Sequence, residues 1–234
     1  MSLLKINNRK EVLAWSLYDF ANQPFTTIIV TFIYSAFFVK VIAENEQLGT
    51  AMWANAISIT AIVVAFISPI LGAIADSGGY RKFFLIFFTW LCATFSILLY
   101  FPQANDVSLA LILFVIANIS FEMGTVFCNS YLPDLSEKRN SGSISGFAWG
   151  LGFFGGLAAL FLSLFLFPDL DSADIRKINI LVGIWLLVFS IPTFLFVQDR
   201  RKEKFKKAHF TNSFSSIRIT FRSVSKYKLI SQFL

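Results

Sequence analysis

The sequence predicts an all-α integral membrane protein built on six membrane-spanning helices. Three observations carry that reading. Of the 234 residues, 56% are hydrophobic, only 15% are charged, and Phe alone occurs 29 times. A soluble domain of this length needs a polar exterior, which this composition does not supply. The apolar residues are gathered into six runs, each close to the roughly 20 residues that cross a bilayer. Lys and Arg cluster between alternate runs, which is how orientation is encoded in a membrane protein.

The runs are Val12–Ile42, Thr50–Ala75, Arg81–Phe101, Val107–Tyr131, Ser143–Phe167 and Ile178–Val197. All are expected to be helices, because backbone polar groups in lipid must be bonded within their own segment. The first is long enough to call for tilt or a kink, and Pro24 is the place for a kink. It is also too long for the apolar core of a signal peptide, and no small-residue cleavage site closes it. Residues 1–197 therefore read as one six-helix bundle.

Residues 198–234 differ sharply in composition. Gln198–His209 is a charge run, read as a solvated cytoplasmic loop near anionic lipid. Thr211–Lys228 sets Phe214, Ile217, Phe221 and Val224 at helical spacing beside Arg218, Arg222 and Lys226. That is the pattern of an amphipathic helix in the membrane interface, and a soluble partner helix gives the same pattern. Leu229–Leu234 reads as the start of a seventh apolar run, so the chain is expected to be part of a longer protein.

Orientation follows from the basic residues. Seventeen of the 20 Lys and Arg fall in the N-terminal segment, the second and fourth loops and the tail, against three on the other side. Both ends of the chain are thus expected in the cytoplasm. The +6 net charge reports topology and not nucleic-acid binding. Cys92 and Cys128 lie within apolar runs and read as small hydrophobes. The single His209 offers no ligand cluster, and no phosphate loop, zinc spacing or nucleophile elbow occurs, so no cofactor, metal or enzymatic activity is expected.

Two helices carry polar stripes. Trp15, Asp19, Asn22 and Thr26 in the first follow steps of four, three and four. At about 100° per residue they share one narrow face. Asn118, Glu122, Thr125 and Asn129 in the fourth repeat those steps, again with one acid in second place. Matching stripes point to a water-filled cavity between the helices and to an internal three-plus-three repeat. Interhelical hydrogen bonding, about 0.6 kcal/mol per contact, is the competing reading for Thr26, Asn118, Thr125 and Asn129. An unused carboxylate in lipid is costly, roughly 2.5–3.5 kcal/mol on insertion scales, so Asp19 and Glu122 are read as functional. No Lys or Arg lies deep in any run to pair with them. Protonation, cation binding and pairing with a base outside this chain all stay open.

The loop Gly72–Lys82, GAIADSGGYRK, joins the second and third helices on the expected cytoplasmic side. Gly72 is read as permitting close helix approach, Asp76 as ending the helix, Gly78 and Gly79 as the tight turn, and Arg81 and Lys82 as headgroup anchors. Here the chain resembles the major facilitator superfamily, whose loop has the form G-x-x-x-D-x-x-G-R-[RK]-[RK]. Gly72, Asp76, Gly79, Arg81 and Lys82 match; Ser77 and Tyr80 stand where arginines are common. The resemblance sharpens at WSLYDFANQPF (15–25), NSYLPDL (129–135) and GSISGFAWGLGFFGG (142–156). Together these resemble the vacuole-effluxer-like family of major facilitators, and KLISQFL resembles the beginning of that family's seventh helix. The family implies a transporter of two six-helix halves with 3+3 inverted repeats, of which this chain is the N-terminal half, and efflux of amino acids or similar small solutes.

Gly146, Gly150, Gly152 and Gly156 in the fifth run form two successive small-xxx-small pairs, read as close helix packing. Asp134 is read as a loop or gate residue able to pair with Lys138 or Arg139. The expected function is secondary transport by alternating access in a plasma or bacterial inner membrane. Asp19 and Glu122 would bind solute or couple its movement to protons or cations, with Asn22, Gln23, Asn118, Thr125 and Asn129 lining the cavity. Gly72, Asp76, Gly79, Arg81 and Lys82 would form a gating loop, and a second six-helix bundle would be the partner. The alternative is a six-helix membrane scaffold or regulatory subunit that transports nothing.

Overall fold

The computed structural model describes residues 9–137 and 139–199. The expectations for the tail beyond Asp199 lie outside the described residues, as does Lys138. Six helices long and apolar enough to cross a membrane are present among the described residues, and the chain is an integral membrane protein. They are α1 (Arg9–Ile42), α2 (Glu46–Gly78), α3 (Arg81–Leu98), α4 (Val107–Asn129, followed by a single turn at Leu132–Leu135), α5 (Ser141–Leu166) and α6 (Ser172–Phe196). No strand occurs among the described residues.

Two helices begin a full turn or more before the apolar runs predict, because their first turns are polar and capped. Asn45 Oδ1 accepts the Leu48 N–H at 2.8 Å and starts α2. Asp171 Oδ1 accepts the Asp174 N–H at 2.7 Å and starts α6. Each cap satisfies one of the otherwise unbonded donors of a first turn. At its other end α2 runs to Gly78, past Asp76, which was expected to end it. Gly79 takes the left-handed conformation at φ 68°, and the Tyr80 N–H returns to Ala75 O at 3.1 Å. Only glycine adopts that backbone without cost, so the turn depends on it.

α1 is not a uniform α-helix. Arg9–Pro24 is α-helical, Phe25–Phe32 is π-helical, Tyr34–Phe37 is α-helical and Phe38–Ile42 is π-helical. The wider bonding is explicit in Ile33 N–H to Ile28 O, 2.9 Å, and Ala43 N–H to Phe38 O, 2.9 Å. The first change follows Pro24, where a kink was expected. Proline has no N–H to continue the α ladder, and local π geometry is one way a helix absorbs that loss.

α1 packs along α5 and α6, α3 along α4 and α6, and α2 against α4 and the far end of α1. The apolar core falls into two clusters. One holds Phe25, Ile28, Tyr34, Phe38, Trp53, Phe114 and Leu186. The other holds Trp15, Tyr18, Leu85, Phe88, Phe127 and Tyr131. On α1 the boundary between them lies near Asp19, and on α4 between Ala117 and Met123. Polar bonds tie the helices across the clusters: Trp15 Nε1 to Cys128 O, 2.8 Å, and Thr193 Oγ1 to Ala14 O, 2.7 Å. Tyr18 joins Thr89 at 2.8 Å. Thr89 donates its one hydroxyl hydrogen to Leu85 O, 2.6 Å, so Tyr18 is the donor in the first bond. Cys92 and Cys128 are buried free thiols.

Candidate functional site: a polar cleft between α1, α4 and α5

The site is set by how closely α5 and α6 approach α1 near Pro24. In an α-helix the Phe20 carbonyl would accept from residue 24, and Pro24 cannot donate. Trp185 of α6 supplies the missing hydrogen: its Nε1 donates to Phe20 O at 3.1 Å. The indole also stacks on the Phe20 ring, centroids 5.4 Å apart. α5 crosses the same point on glycines. A Cβ at Gly155 would stand 2.8 Å from Phe20 Cα, at Gly152 3.1 Å from Asp19 Cβ, and at Gly156 3.1 Å from Gln23 Cγ. Gly146 and Gly150, read from sequence as part of the same packing stripe, have nothing within 4 Å and do not take part.

Beside this crossing lies a cleft of about 200 Å³. α1 contributes Asp19, Asn22 and Gln23; α4 contributes Phe121, Thr125 and Asn129; α5 contributes Ser145 and Trp149. It extends from mid-helix, at Gln23 and Phe121, toward the end where α4 hands over to α5, at Asn129 and Ser145. Asn22 is 4% exposed. Its Nδ2 donates to Thr125 Oγ1 at 3.4 Å, and that hydroxyl donates to Phe121 O at 3.0 Å. α1 and α4 are thereby latched at the cleft. Asp19 is half-buried, and its carboxylate makes no hydrogen bond or ion pair among the described residues. The cleft's chemistry is one carboxylate, three amides, two hydroxyls and two aromatic rings.

Five of the seven residues expected to meet solute line this one cleft. The other two do not. Asn118 is 5% exposed and buried inside the bundle. Glu122 is half-buried beside the cleft, and its neighbour Phe121 takes the lining position. Asp19 is therefore the single ionisable group of the lining.

The expected gating loop is arranged differently from the sequence reading. Gly72 has no atom within 4 Å of where a Cβ would stand, so no helix of the described chain closes on it. The side chains of Asp76 to Gly78 lie outside the described ones. Arg81, expected to reach headgroups, turns into the bundle and is 1% exposed. It donates from Nη2 to Asp134 Oδ2 at 2.7 Å, from Nη1 to Ser130 O at 3.0 Å and from Nη2 to Asp199 Oδ1 at 3.1 Å. The guanidinium also stacks over Tyr131, 4.6 Å from the ring centroid. Asp134, expected to pair with Lys138 or Arg139, thus meets a cation from another helix. Lys82 Nζ donates to Val197 O at 3.0 Å, and the Gln198 N–H donates to Glu11 Oε1 at 3.1 Å. The cluster fastens the ends of α1, α3, α4 and α6 together. Buried paired charges of this kind hold only while every partner is present.

A family model described as Vacuole effluxer Atg22 like matches residues 49–234. The chain belongs to this family. Among relatives, it is 27% identical over 237 residues to a protein of Bacillus subtilis (strain 168) described as an uncharacterized MFS-type transporter, YxiO. That alignment covers 96% of this chain and 55% of the relative. An uncharacterized protein of Aquifex aeolicus (strain VF5) is 30% identical, over 82% of this chain and 47% of its own. Autophagy-related protein 22 of Coccidioides immitis (strain RS) is 26% identical, over 67% of this chain and 35% of its own. The chain spans about half the length of the first two relatives. No solved structure matches it. Membership places this vacuole-effluxer-like chain with transporter-like proteins and not with enzymes.

Three lining residues of this chain escaped the sequence reading: Phe121, Ser145 and Trp149. A signal was present for two of them. Ser145, Trp149, Gly152 and Gly156 follow the same four, three, four steps as the stripes of α1 and α4. The stripe lacks an acid, so polarity alone did not reveal it.

Proposed function

We propose that this chain is the N-terminal half of a secondary transporter that moves amino acids or similar small solutes, in the efflux direction, by alternating access. The observation that carries the reading is the open polar cleft in the bundle, lined from mid-helix toward the α4–α5 end by Asp19, Asn22, Gln23, Thr125 and Asn129. Buried polar groups facing an open cleft in a membrane bundle are the usual mark of a solute path. Membership in a family described as vacuole effluxers supports it, as does the relative described as an MFS-type transporter.

In this reading a second six-helix bundle closes over the cleft, and the two bundles rock about the bound solute. α1–α3 and α4–α6 are the two inverted repeats, and both ends of the segment face the cytoplasm of a plasma or bacterial inner membrane. Asp19 binds solute or exchanges a proton or cation with it, with Glu122 and Asn118 as supporting polar groups behind the lining. The Gly72–Lys82 loop, with Asp76, Gly79, Arg81 and Lys82, sets the cytoplasmic closure. The test is flux of amino acids by the full-length protein in proteoliposomes, with and without a pH gradient. Gradient-dependent flux that disappears in Asp19→Asn, with insertion unchanged, is the expected outcome. Undiminished flux in that variant removes Asp19 from the mechanism, and no flux of any solute from folded protein favours the scaffold.

A further inference from the structure

We propose that this cleft reads the positively charged end of its solute: Asp19 holds an ammonium or organic-cation group against the rings of Trp149 and Phe121, and the lining offers no cation to a carboxylate. The inference rests on the solute-cleft reading above and assigns the chemical class that the cleft selects.

The lining decides the sign of the charge. Its one ionisable side chain is the Asp19 carboxylate, and no Lys, Arg or His is among the lining residues. The basic side chains of the described bundle lie at helix ends and loops, at Arg9, Lys10, Lys40, Arg81, Lys82, Arg139, Arg176 and Lys177. The one that is buried, Arg81, is already occupied by Asp134 and Asp199. An anionic group in the cleft would meet a like charge and no cation; a cationic group would meet an unpaired carboxylate.

The rings decide the kind of cation. Trp149 lines the cleft while remaining 71% exposed, so its indole face is presented and not packed away. Its placement follows from the chain: Gly152, three residues on, faces Asp19, and the helical repeat sets Trp149 on that same face one turn away. Aromatic faces attract ammonium and alkylammonium groups, Trp most strongly. A carboxylate flanked by rings and amides suits an amine, which takes both the charge and the hydrogen bonds, better than a small hydrated metal ion. The cleft's volume of about 200 Å³ equals roughly six or seven waters at about 30 Å³ each. That is room for an aminoalkyl group.

The experiment uses three probes of one skeleton with the full-length protein: leucine, 3-methylbutylamine, which lacks the carboxylate, and 4-methylpentanoate, which lacks the amine. Binding is measured by calorimetric titration of the purified protein, and flux of the same probes is followed in proteoliposomes. The expected result is that leucine and the amine bind within tenfold of each other and the acid at least tenfold more weakly. Asp19→Asn should weaken both amine-bearing probes at least tenfold. Trp149→Leu should weaken them about twofold to fivefold, and Trp149→Phe, which keeps a ring, less. Unchanged melting temperatures of the variants exclude a folding defect as the cause. The inference is overturned if the acid binds as well as the amine, if neither amine-bearing probe binds, or if Asp19→Asn binds them undiminished. Amine-selective binding without flux would leave this assignment standing and remove the transport reading. Flux of leucine with acid-selective binding would do the reverse.

Discussion

Gly155 is the position where one methyl group should do most harm. A Cβ there would lie 2.8 Å from Phe20 Cα and 2.9 Å from Phe20 C, and closer still to Phe20 O. Carbon atoms at ease sit about 3.5–4.0 Å apart. α5 and α1 would therefore have to separate by roughly 0.7 Å or more at their crossing. The obstructing atoms are backbone, so no side-chain rotation relieves the clash. Overpacking of this kind costs about 1–3 kcal/mol. Against it stands the preference of a helix for Ala over Gly, about 0.8–1.0 kcal/mol. Gly150→Ala supplies the reference, because that glycine has nothing within 4 Å and lies in the same helix. The propensity term is common to both variants, so their difference isolates the steric term. We expect Gly155→Ala to be less stable than Gly150→Ala by about 1–3 kcal/mol, and Gly150→Ala to match or exceed the parent. Unfolding of the three proteins in one detergent, followed by tryptophan fluorescence, measures this. Equal stability of the two variants would refute the close approach of α5 to Phe20.

The indole of Trp185 should contribute through its hydrogen bond as well as its ring. Trp185→Phe leaves the Phe20 carbonyl without the 3.1 Å donor that replaces the one lost to Pro24, and should cost about 1 kcal/mol or somewhat more in the same unfolding assay. Loss of Arg81 should be more severe. Arg81→Ala strands the carboxylates of Asp134 and Asp199, and breaking a buried pair from one side costs about 3–5 kcal/mol. Both acids keep some solvent contact, which puts the expected value at the lower end. Arg81→Lys keeps the charge but cannot serve three acceptors in the guanidinium's planar geometry, and should recover only part of the loss. Recovery to parent stability with lysine would show that charge alone matters there.

The helices were legible because lipid demands long apolar segments, and that demand is written residue by residue. The starts of α2 and α6 were not, since Asn45 and Asp171 cap polar first turns that carry no apolar signal. The cleft was legible on α1 and α4, where Asp19 and Asn129 interrupt apolar runs. It was hidden on α5, where Trp149 and the glycines look like any packing surface. Arg81 was misread for a different reason. Its partners are 53 and 118 residues away in the chain, and local sequence at a helix start looks the same for an arginine facing headgroups as for one turned inward. The glycine stripe on α5 divided in the same manner. Spacing names the candidates Gly146, Gly150, Gly152 and Gly156, but which of them meet a neighbour depends on where α1 crosses.

The π-helical stretch Phe25–Phe32 makes α1 a helix with two phases. Bonding from i to i+5 takes up more residues per turn than the 3.6 of an α-helix, so the angular bookkeeping of Arg9–Pro24 does not carry across it. A single helical wheel drawn over all of Arg9–Ile42 would rotate Tyr34 and Phe38 away from the faces they occupy. Alignments of relatives should accordingly index the two halves of α1 separately. Length changes in this helix belong between Phe25 and Phe32, where one residue more or less alters the winding and leaves the azimuth of Asp19 untouched.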